Sequence, residues 1–439
     1  MSKKLNILVS VMDGVGHVNA CIGLSQALQK RGHKITFVIE KAYKGKLAEF
    51  GFEEEIIDRN EESSDETKPK TDKRPGEEAA TRLAQSGLFS TMSSLEKLKK
   101  MSKMPIFENG VQRAKKDNSK FTEIVVKLNP DVIIIDDFVG RPALIYSGKP
   151  WISIFSGNPL FAIEDDKTPP FSSGYPSNGD KSGWNEFKEL RAQVFAGQAL
   201  KLYNDWLQEL GFDVSQSKMV VPISPYLNIY GYPEELDYTD IRPLPNNFCP
   251  IDAFMRNDPK EFKIPDKFEN RDKIKSKLIY LSMGSMGSVD VNLMKRFVEI
   301  LSKTQHKYIV SKGLLAHTYD LADNMWGEAS VPQTNVLPLV DLVITHGGNN
   351  SVTETFSYGK PMIVMPIFGD QYDNAQRVHE KGYGIRLDTY SFSDKELLDS
   401  IEKLLNDKQL DERLSIASKR MLNSDSISKA CERIESLVK

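Results

Sequence analysis

The sequence predicts an α/β protein with two doubly wound, Rossmann-like parallel-sheet lobes that face a cleft, followed by C-terminal helices. Each half of the 439-residue chain opens with a buried strand, a turn of small residues and a helix with apolar spacing, which is the order of a βαβ unit. A charged segment with five prolines, residues 242–277, separates the halves. Ligands of doubly wound sheets bind at the carboxyl ends of the strands, so we expect a ligand in the cleft.

Bulk composition argues against a protein that binds nucleic acid or spans a membrane. The net charge is −3 and 40% of residues are hydrophobic, so cores can form but no basic stripe marks a nucleic-acid surface. The three cysteines, Cys21, Cys249 and Cys431, are widely spaced, which predicts a reducing, cytoplasmic location without disulfides. No apolar run reaches the ~18–20 residues of a membrane span, and the N-terminal run is too short for a secretory leader.

In the N-terminal half, buried apolar runs alternate with helical spacing. Two segments break this pattern: residues 53–80 are polar and acidic, and residues 157–185 are rich in Pro, Gly and Ser, so both are predicted to be loops. The predicted strands are 5–12, 34–39, 131–135 and 151–155, and the predicted helices are 18–30 and 81–128.

The pattern starts again after the proline-rich segment. We therefore divide the chain into an N-terminal lobe (1–241), a linker (242–277), a C-terminal lobe (278–415) and a C-terminal helix (416–439) that we expect to pack back on the N-terminal lobe. The C-terminal half has predicted strands at 278–281, 307–310, 342–345 and 361–366, and predicted helices at 291–301 and within 393–439.

One stretch of the C-terminal half carries most of the chemistry. The strand 342–345 runs into the turn His-Gly-Gly-Asn-Asn-Ser, which opens a helix with Glu354 one turn inside, and the strand 361–366 ends in Gly-Asp-Gln. Small residues at such a turn let backbone N–H groups approach a phosphate at a helix N-terminus. A glutamate can reach ribose hydroxyls and an Asp-Gln pair can reach a polyol, so the stretch predicts a nucleotide-sugar site.

This stretch resembles the donor-binding signature of the family-1 UDP-glycosyltransferases, which have the GT-B fold, and the resemblance extends over nearly the whole chain. It implies inverting, metal-independent transfer of a sugar from a UDP-sugar, UDP-glucose being favoured, with no further cofactor. The acceptor would be a hydroxyl of a small lipophilic molecule such as a flavonoid, another phenolic or a xenobiotic, in detoxification. The N-terminal lobe would bind the acceptor and the C-terminal lobe the UDP-sugar. Membrane-bound animal members have a leader and an anchor; we expect neither here.

The resemblance also assigns donor-binding residues. Ser330 stands where the family has a tryptophan that stacks on uracil, and we consider Trp326, four residues earlier, as its replacement. Asn349 stands at another position that is often Trp, which leaves room for a different sugar contact. The matched residues are Gly284, Ser285, His346, Gly348, Asn350 and Ser351 for the diphosphate, Val331 and Gln333 for the nucleoside, Glu354 for the ribose, and Asp370 and Gln371 for the sugar.

The predicted catalytic base is His17, in the loop that follows the first strand. An imidazole can take a proton from a hydroxyl near neutral pH, and the family's base occupies the matching position. Asp136 and Asp137 end the strand 131–135, and a carboxylate there can hold the imidazole in one tautomer. Either aspartate suits this role, with Asp136 favoured by counting along the strand.

The acceptor site is less specified by the sequence. Apolar side chains of the N-terminal half, several of them in predicted loops, suit a pocket for a planar or hydrophobic acceptor. The candidates are Phe89, Met92, Phe155, Phe161 and Phe171.

Three other functions compete with sugar transfer. Gly14 and Gly16 after the first strand suggest an NAD-dependent oxidoreductase, with Glu40 ending the second strand, but Asn19 replaces the third glycine of that fingerprint. A sugar-nucleotide epimerase of similar two-lobed fold would need no acceptor. A non-catalytic binding protein would need no pairing of His17 with an aspartate.

Overall fold

Two parallel sheets organise the chain in the computed structural model, which describes residues 3–58, 76–214 and 218–438. The strands of the N-terminal sheet are β1 Asn6–Val11, β2 Lys34–Glu40, β3 Glu53–Ile57, β4 Val132–Asp136, β5 Trp151–Phe155, β6 Leu227–Gly231 and β7 Phe248–Ile251. They lie in the order β3-β2-β1-β4-β5-β6-β7. The order reverses between β1 and β4, where Val11 is in register with Asp136, and such a switch point is where these sheets bind ligands.

Helices cover both faces of this sheet. They form because apolar residues recur at helical spacing, as in the first helix, where Val18, Cys21, Leu24 and Leu28 are buried. The helices of the N-terminal lobe are α1 Val15–Lys30, α2 Glu77–Gln85, α3 Ser94–Met101, α4 Ile106–Leu128, α5 Pro142–Ile145, α6 Trp184–Phe195 and α7 Gly197–Glu209, and α8 Asp266–Glu269 lies in the join between the lobes.

The C-terminal sheet has six strands. They are β8 Leu278–Ser282, β9 Lys307–Ser311, β10 Met325–Glu328, β11 Leu342–Thr345, β12 Met362–Val364 and β13 Gly384–Arg386. Their order is β10-β9-β8-β11-β12-β13, so the switch point lies between β8 and β11. The turns that leave these two strands are the two small-residue turns of the predicted donor site.

The helices of the C-terminal lobe begin with that site. They are α9 Gly284–Gly287, α10 Val291–Leu301, α11 Gln333–Val336, α12 Asn349–Ser357, α13 Gln371–Glu380, α14 Asp394–Leu405, α15 Lys408–Leu422 and α16 Ser426–Ser436. No helix in the described part of the chain is long and apolar enough to cross a membrane.

The last helix packs on the N-terminal lobe. Ala430, Cys431 and Ile434 of α16 are fully buried in the same apolar cluster as α1 and the N-terminal strands. Glu435 receives hydrogen bonds from Arg31 at 2.7 and 2.9 Å and lies 2.8 Å from the His33 ring. The predicted boundary at residue 416 falls inside α15, so the returning helix begins ten residues later, at Ser426.

Two sequence predictions are wrong at short edge strands. Residues 53–57 were expected in a loop, yet they form β3, which pairs with β2; Glu53 forms an ion pair with Lys34 and accepts a hydrogen bond from the hydroxyl of Thr36. Residues 248–251 were expected in the linker, yet they form β7, which pairs with β6. Pro250 has no N–H to donate to a neighbouring strand, and an edge strand tolerates this because it has a neighbour on one side only. Residues 59–75 of the predicted loop lie outside the described residues.

Candidate active site

The turns of the two switch points meet between the lobes. The side-chain amide of Asn350, at the start of α12, donates a hydrogen bond of 2.7 Å to the carbonyl of Gly16, at the start of α1. The backbone N–H of Asn158, after β5, donates one of 3.1 Å to the carboxylate of Asp370, at the start of α13. The predicted catalytic and donor residues are therefore brought together from segments about 200 to 330 residues apart.

His17 lies in the first turn of α1, not in the preceding loop as predicted. Its Nδ1 lies 2.9 Å from Oδ1 of Asp136 and 2.8 Å from the hydroxyl of Ser156. The ring of Phe138 meets the imidazole edge-on, with the ring centres 5.3 Å apart. Because both polar partners use Nδ1, a proton held there by the Asp136 carboxylate makes Nε2 the basic nitrogen.

Charges around His17 make it a stronger base than a free imidazole. Burial alone lowers the pKa of His17, but the charge and hydrogen bond of Asp136 raise it, with smaller contributions from Asp137 and Asp370. The pKa of His17 is therefore raised above its ordinary value of 6.5.

Of the two candidate aspartates, Asp136 is the partner of His17. Asp137 forms an ion pair with Arg141 and accepts a hydrogen bond of 3.2 Å from the N–H of Val139. Side chains of neighbouring strand residues point in opposite directions, which explains why one aspartate faces α1 and the next does not.

Ser156, His17 and Asp136 resemble a serine-nucleophile triad in composition but not in geometry. In such a triad the serine contacts the imidazole nitrogen opposite to the aspartate. Here both lie against Nδ1, so Nε2 is not placed to activate Ser156. The group therefore suits a base that acts on an external hydroxyl.

The ring of His346 fills the space between the two turns that are predicted to bind the diphosphate. A Cβ atom at Gly284 would lie 2.5 Å from its Cε1 and Nε2 atoms, and one at Gly348 would lie 2.6 Å from Nε2. Gly284 also has a φ of +68°, so both space and backbone conformation require glycine. Burial lowers the pKa of His346 to about 4, so the ring is neutral at pH 7 and can offer a phosphate a hydrogen bond but no charge.

Ser285 and Ser351 lie near the starts of α9 and α12. Both residues are half-buried. Backbone N–H groups at a helix start are not used within the helix, and the N-terminus of α12 favours an anion. These positions are compatible with the predicted diphosphate contacts.

Glu354 lies at the centre of a buried polar network. It is 1% exposed; one carboxylate oxygen pairs with Arg256 and the other accepts a hydrogen bond of 2.6 Å from Nε2 of Gln333. The hydroxyl of Tyr280 lies 3.4 Å from Oε1 of Gln333. The network joins the predicted ribose and nucleoside residues and holds their side chains in place.

Asp370 and Gln371 play different parts at the start of α13. Asp370 is half-buried and faces His17 and Asn158 across the cleft, and burial raises its pKa to about 6. Oε1 of Gln371 accepts hydrogen bonds from the backbone N–H groups of Ile367 and Phe368, at 2.9 and 3.2 Å. Gln371 therefore fixes the turn before α13, and its NH₂ is the end free to contact a sugar.

Asn349 and Trp326, the two residues considered for unusual donor contacts, have other partners in the structure. Asn349 is buried and donates a hydrogen bond of 2.9 Å to the carbonyl of Gly231 in the N-terminal lobe, so it is an interlobe contact and not the sugar contact considered above. Trp326 meets Phe262 edge-on at 5.6 Å, and Val331 is buried. We therefore assign base stacking to neither Trp326 nor Val331.

Three of the five predicted acceptor residues belong to one aromatic cluster, which comprises Phe107, Phe138, Phe155, Phe161, Phe171 and Phe195. Ring centres lie 5.5 Å apart for Phe138 and Phe161 and 5.0 Å apart for Phe161 and Phe171. Through Phe138 the cluster reaches His17. Phe89 and Met92 lie outside it, half-buried in the segment between α2 and α3.

Sequence reasoning missed Ser156, Phe138 and Arg256. Ser156 is the first residue after β5 and Phe138 the second after β4, and a position just after a strand of this sheet is a signal that was available. Arg256 lies in the predicted linker, where nothing local distinguishes it from other charged residues.

Within the residues described, no group of three or more His, Cys, Asp or Glu side chains is placed to hold a metal ion.

Solved structures with the same architecture are glycosyltransferases. The chain aligns with the glycotransferase of kitacinnamycin over 100% of both chains, at 20% identity and a TM-score of 0.70. It aligns with CalG4, the calicheamicin glycosyltransferase, over 99% of this chain and 98% of that one, at 18% identity and a TM-score of 0.66. At these identities the likeness establishes the fold alone, and it confirms the predicted GT-B architecture.

A family model matches the C-terminal lobe. Residues 275–422 match the family model described as UDP-glucoronosyl and UDP-glucosyl transferase. Human UDP-glucuronosyltransferase 1A9 is 36% identical over 97 residues, which are 22% of this chain and 18% of the human protein; the match thus spans under a fifth of that relative. Together with the fold, these matches confirm the resemblance to the family-1 UDP-glycosyltransferases.

Proposed function

We propose that this protein is an inverting UDP-glycosyltransferase that moves a sugar from a UDP-sugar to a hydroxyl of a small lipophilic acceptor. One observation carries the proposal: the His17–Asp136 pair of one lobe lies across the cleft from the family-matched turns of the other, close enough that Asn350 bonds to Gly16. A base and a nucleotide-sugar site at such close quarters suit direct transfer between two bound substrates.

In the proposed reaction, Nε2 of His17 takes the proton of the acceptor hydroxyl. The oxygen attacks the anomeric carbon while the bond from that carbon to the UDP oxygen breaks, and UDP leaves from the opposite face, which inverts the configuration. Asp136 holds the Nδ1 proton and stabilises the imidazolium that forms. The α12 N-terminus, neutral His346 and the serines would meet the charge on UDP without a divalent metal.

We propose a UDP-sugar as donor, with UDP-glucose favoured. The family match and the Glu354–Gln333 network support a uridine nucleotide. Asp370 and Gln371 at the start of α13 would hold the sugar hydroxyls. One solved neighbour, the rhamnosyltransferase SpnG at 17% identity and a TM-score of 0.61, was crystallised with thymidine diphosphate, which supports a pyrimidine diphosphate as the leaving group.

For the acceptor we propose a planar, largely apolar alcohol or phenol, such as a flavonoid or a xenobiotic, in a detoxifying reaction. The aromatic cluster next to His17 supports this choice, because such rings stack on flat molecules. The three cysteines are buried and free, which supports the cytoplasm as location.

Turnover of a matrix of UDP-sugars and phenolic acceptors, followed by mass spectrometry, tests the proposal. We expect glycoside formation that is insensitive to EDTA, with inverted anomeric configuration by NMR. Replacing the base, His17→Ala, should lower kcat at least about 10²-fold and leave UDP binding intact. Transfer at the wild-type rate by His17→Ala would rule out His17 as the base, and isomerised UDP-sugar without acceptor would favour an epimerase.

A further inference from the structure

Helix α13 carries charged side chains that the proposed mechanism does not use. Asp373, Arg377 and Glu380 follow Asp370 and Gln371 at intervals of three to four residues, so they share a face of the helix. Each contacts the N-terminal lobe; Arg377, for example, donates to the carbonyls of Leu236 and Asp237 at 2.8 and 2.7 Å. The same helix thus begins with the sugar ligands and continues as an interlobe interface.

Asp373 binds the backbone of a turn in the N-terminal lobe. Its carboxylate accepts hydrogen bonds from the N–H groups of Ser172 and Gly174, at 2.5 and 2.9 Å, and the residue is 2% exposed. Both turn residues are left-handed, with φ of 70° at Ser172 and 61° at Gly174. A left-handed serine is unfavourable by itself, so the carboxylate stabilises a conformation that the turn would not keep alone.

We call residues 171–177 the strap, because α13 holds them along their length. Beyond Asp373, Glu380 accepts hydrogen bonds from the N–H and the hydroxyl of Ser177, at 2.9 and 2.8 Å. The backbones are also in close contact: a Cβ atom at Gly174 would lie 2.8 Å from Cβ of Tyr372. The strap is therefore seated on the donor-side helix.

The first residue of the strap is part of the acceptor wall. Phe171 packs on Phe161, Phe161 on Phe138, and Phe138 on His17, with ring centres 5.0, 5.5 and 5.3 Å apart. Asp373 is thus two residues from a predicted sugar ligand on one side. On the other side, Asp373 binds the N–H of Ser172, the residue next to Phe171.

We infer that Asp373 is a positioning residue that sets the acceptor wall against the donor sugar by holding the strap on α13. The inference rests on the proposed function and deepens it, because it assigns acceptor placement to a residue of the donor lobe. A shift of about 1 Å in a bound reactant can cost about 10²-fold in rate. A change in a turn that is held by one carboxylate is therefore enough to alter kcat/KM for the acceptor.

The test uses Asp373→Asn in the full chain, which keeps the size of the side chain but replaces one accepting oxygen with a donor. We expect acceptor kcat/KM to fall about 10- to 100-fold, with the KM of the UDP-sugar and the Kd of UDP within about twofold of wild type. Hydrogen exchange should quicken in residues 168–178. Asp399→Asn, on the exposed face of α14, is the matched control and should change none of these.

A second variant separates positioning from general damage. Ser172→Gly keeps the N–H that Asp373 binds and suits a positive φ, so it should retain wild-type acceptor kinetics. Unchanged exchange in 168–178 in Asp373→Asn, or equal losses for donor and acceptor, would overturn the inference while leaving the proposed function intact. If the wild type transfers no sugar at all, the proposed function is overturned and the inference with it.

Discussion

At the scale of single residues, the proposed site depends on two side-chain pairs, one partly exposed and one buried. His17 and Asp136 form the proposed base, and Arg256 and Glu354 form the core of the donor network. Each pair joins residues about 100 or more positions apart, so each also fixes one segment of the chain against another. Removing one member should change the pH dependence in the first pair, and stability and donor binding in the second.

Removing the charge of Asp136 should change the pH dependence of the reaction. The pKa of His17 is raised above 6.5, and the base must be neutral, so wild-type kcat/KM should rise with pH through that raised pKa. In Asp136→Asn the burial that lowers the pKa stays and the carboxylate that raises it is gone. We expect the acid limb of the kcat/KM profile to move to lower pH, and kcat to fall about 10²–10⁴-fold.

Asp137→Asn is the matched control for that experiment. Asp137 contributes less to the pKa of His17 than Asp136 does. The acid limb of the kcat/KM profile should therefore move less in Asp137→Asn than in Asp136→Asn. An acid limb that stays in place when Asp136 is replaced would contradict the assignment of His17 as the titrating base.

Removing Glu354 should affect both stability and donor binding. Glu354→Ala leaves the buried Arg256 without its partner, and breaking one side of a buried ion pair costs about 3–5 kcal/mol. Denaturant unfolding measures this loss. The double variant Arg256→Met, Glu354→Leu should recover most of the stability but not the affinity for UDP; recovery of both would show that the network is structural only.

At the scale of elements, α16 ties the end of the chain to the N-terminal lobe through Glu435. The hydrogen bonds of Arg31, and then of His33, lower the pKa of Glu435 from 4.5 to about 2, against the opposing effect of burial. A carboxyl with a lowered folded-state pKa stabilises the fold above its unfolded pKa, and this contribution is lost as the pH falls through the folded pKa.

Glu435→Gln should therefore destabilise the protein by about 1–3 kcal/mol at pH 7. The difference from wild type should shrink as the pH is lowered from about 4.5 towards 2, because the wild-type carboxyl then becomes protonated. Urea unfolding at several pH values measures both effects. Glu432→Gln, on the exposed face of the same helix, should change stability by less than ~0.5 kcal/mol; equal losses in the two variants would contradict the account of α16.

Elements with a strong local pattern could be predicted, and those defined by distant partners could not. The sequence predicts α10 and β5 at their observed bounds, because apolar spacing within each segment decides them. It misses β3 and β7, which are short edge strands whose polar or proline residues are tolerated only beside a neighbouring strand. It also places His17 one element too early, since the small residues before it suit a turn and a helix start equally.

The same distinction holds for the site. The predicted donor residues from His346 to Gln371 follow one another in a single stretch, so their order could be recognised. Arg256 pairs with a residue 98 positions away, and no local pattern marks it. The choice between Asp136 and Asp137 depends on which way each side chain leaves β4, and the strand's last residue is what the sequence defines least well.

At the scale of the whole molecule, the two lobes meet along α13 and the starts of α1 and α12. Arg377 is 2% exposed and donates to the backbone of residues 236 and 237, while Asn350 and Asn158 connect the lobes at the site itself. These contacts place the proposed base of one lobe next to the proposed nucleotide-binding surface of the other. The proposed mechanism therefore requires that the C-terminal lobe binds a uridine nucleotide whether or not His17 is present.

Isothermal titration of UDP into the wild type, His17→Ala and Glu354→Ala tests this requirement most directly. We expect one UDP per chain in the wild type and in His17→Ala, with Kd values within about threefold, and a Kd at least about tenfold weaker in Glu354→Ala, which is ~1.4 kcal/mol. NAD should give no binding heat. No heat with UDP, or equal UDP affinity in wild type and Glu354→Ala, would contradict the assignment of the donor site.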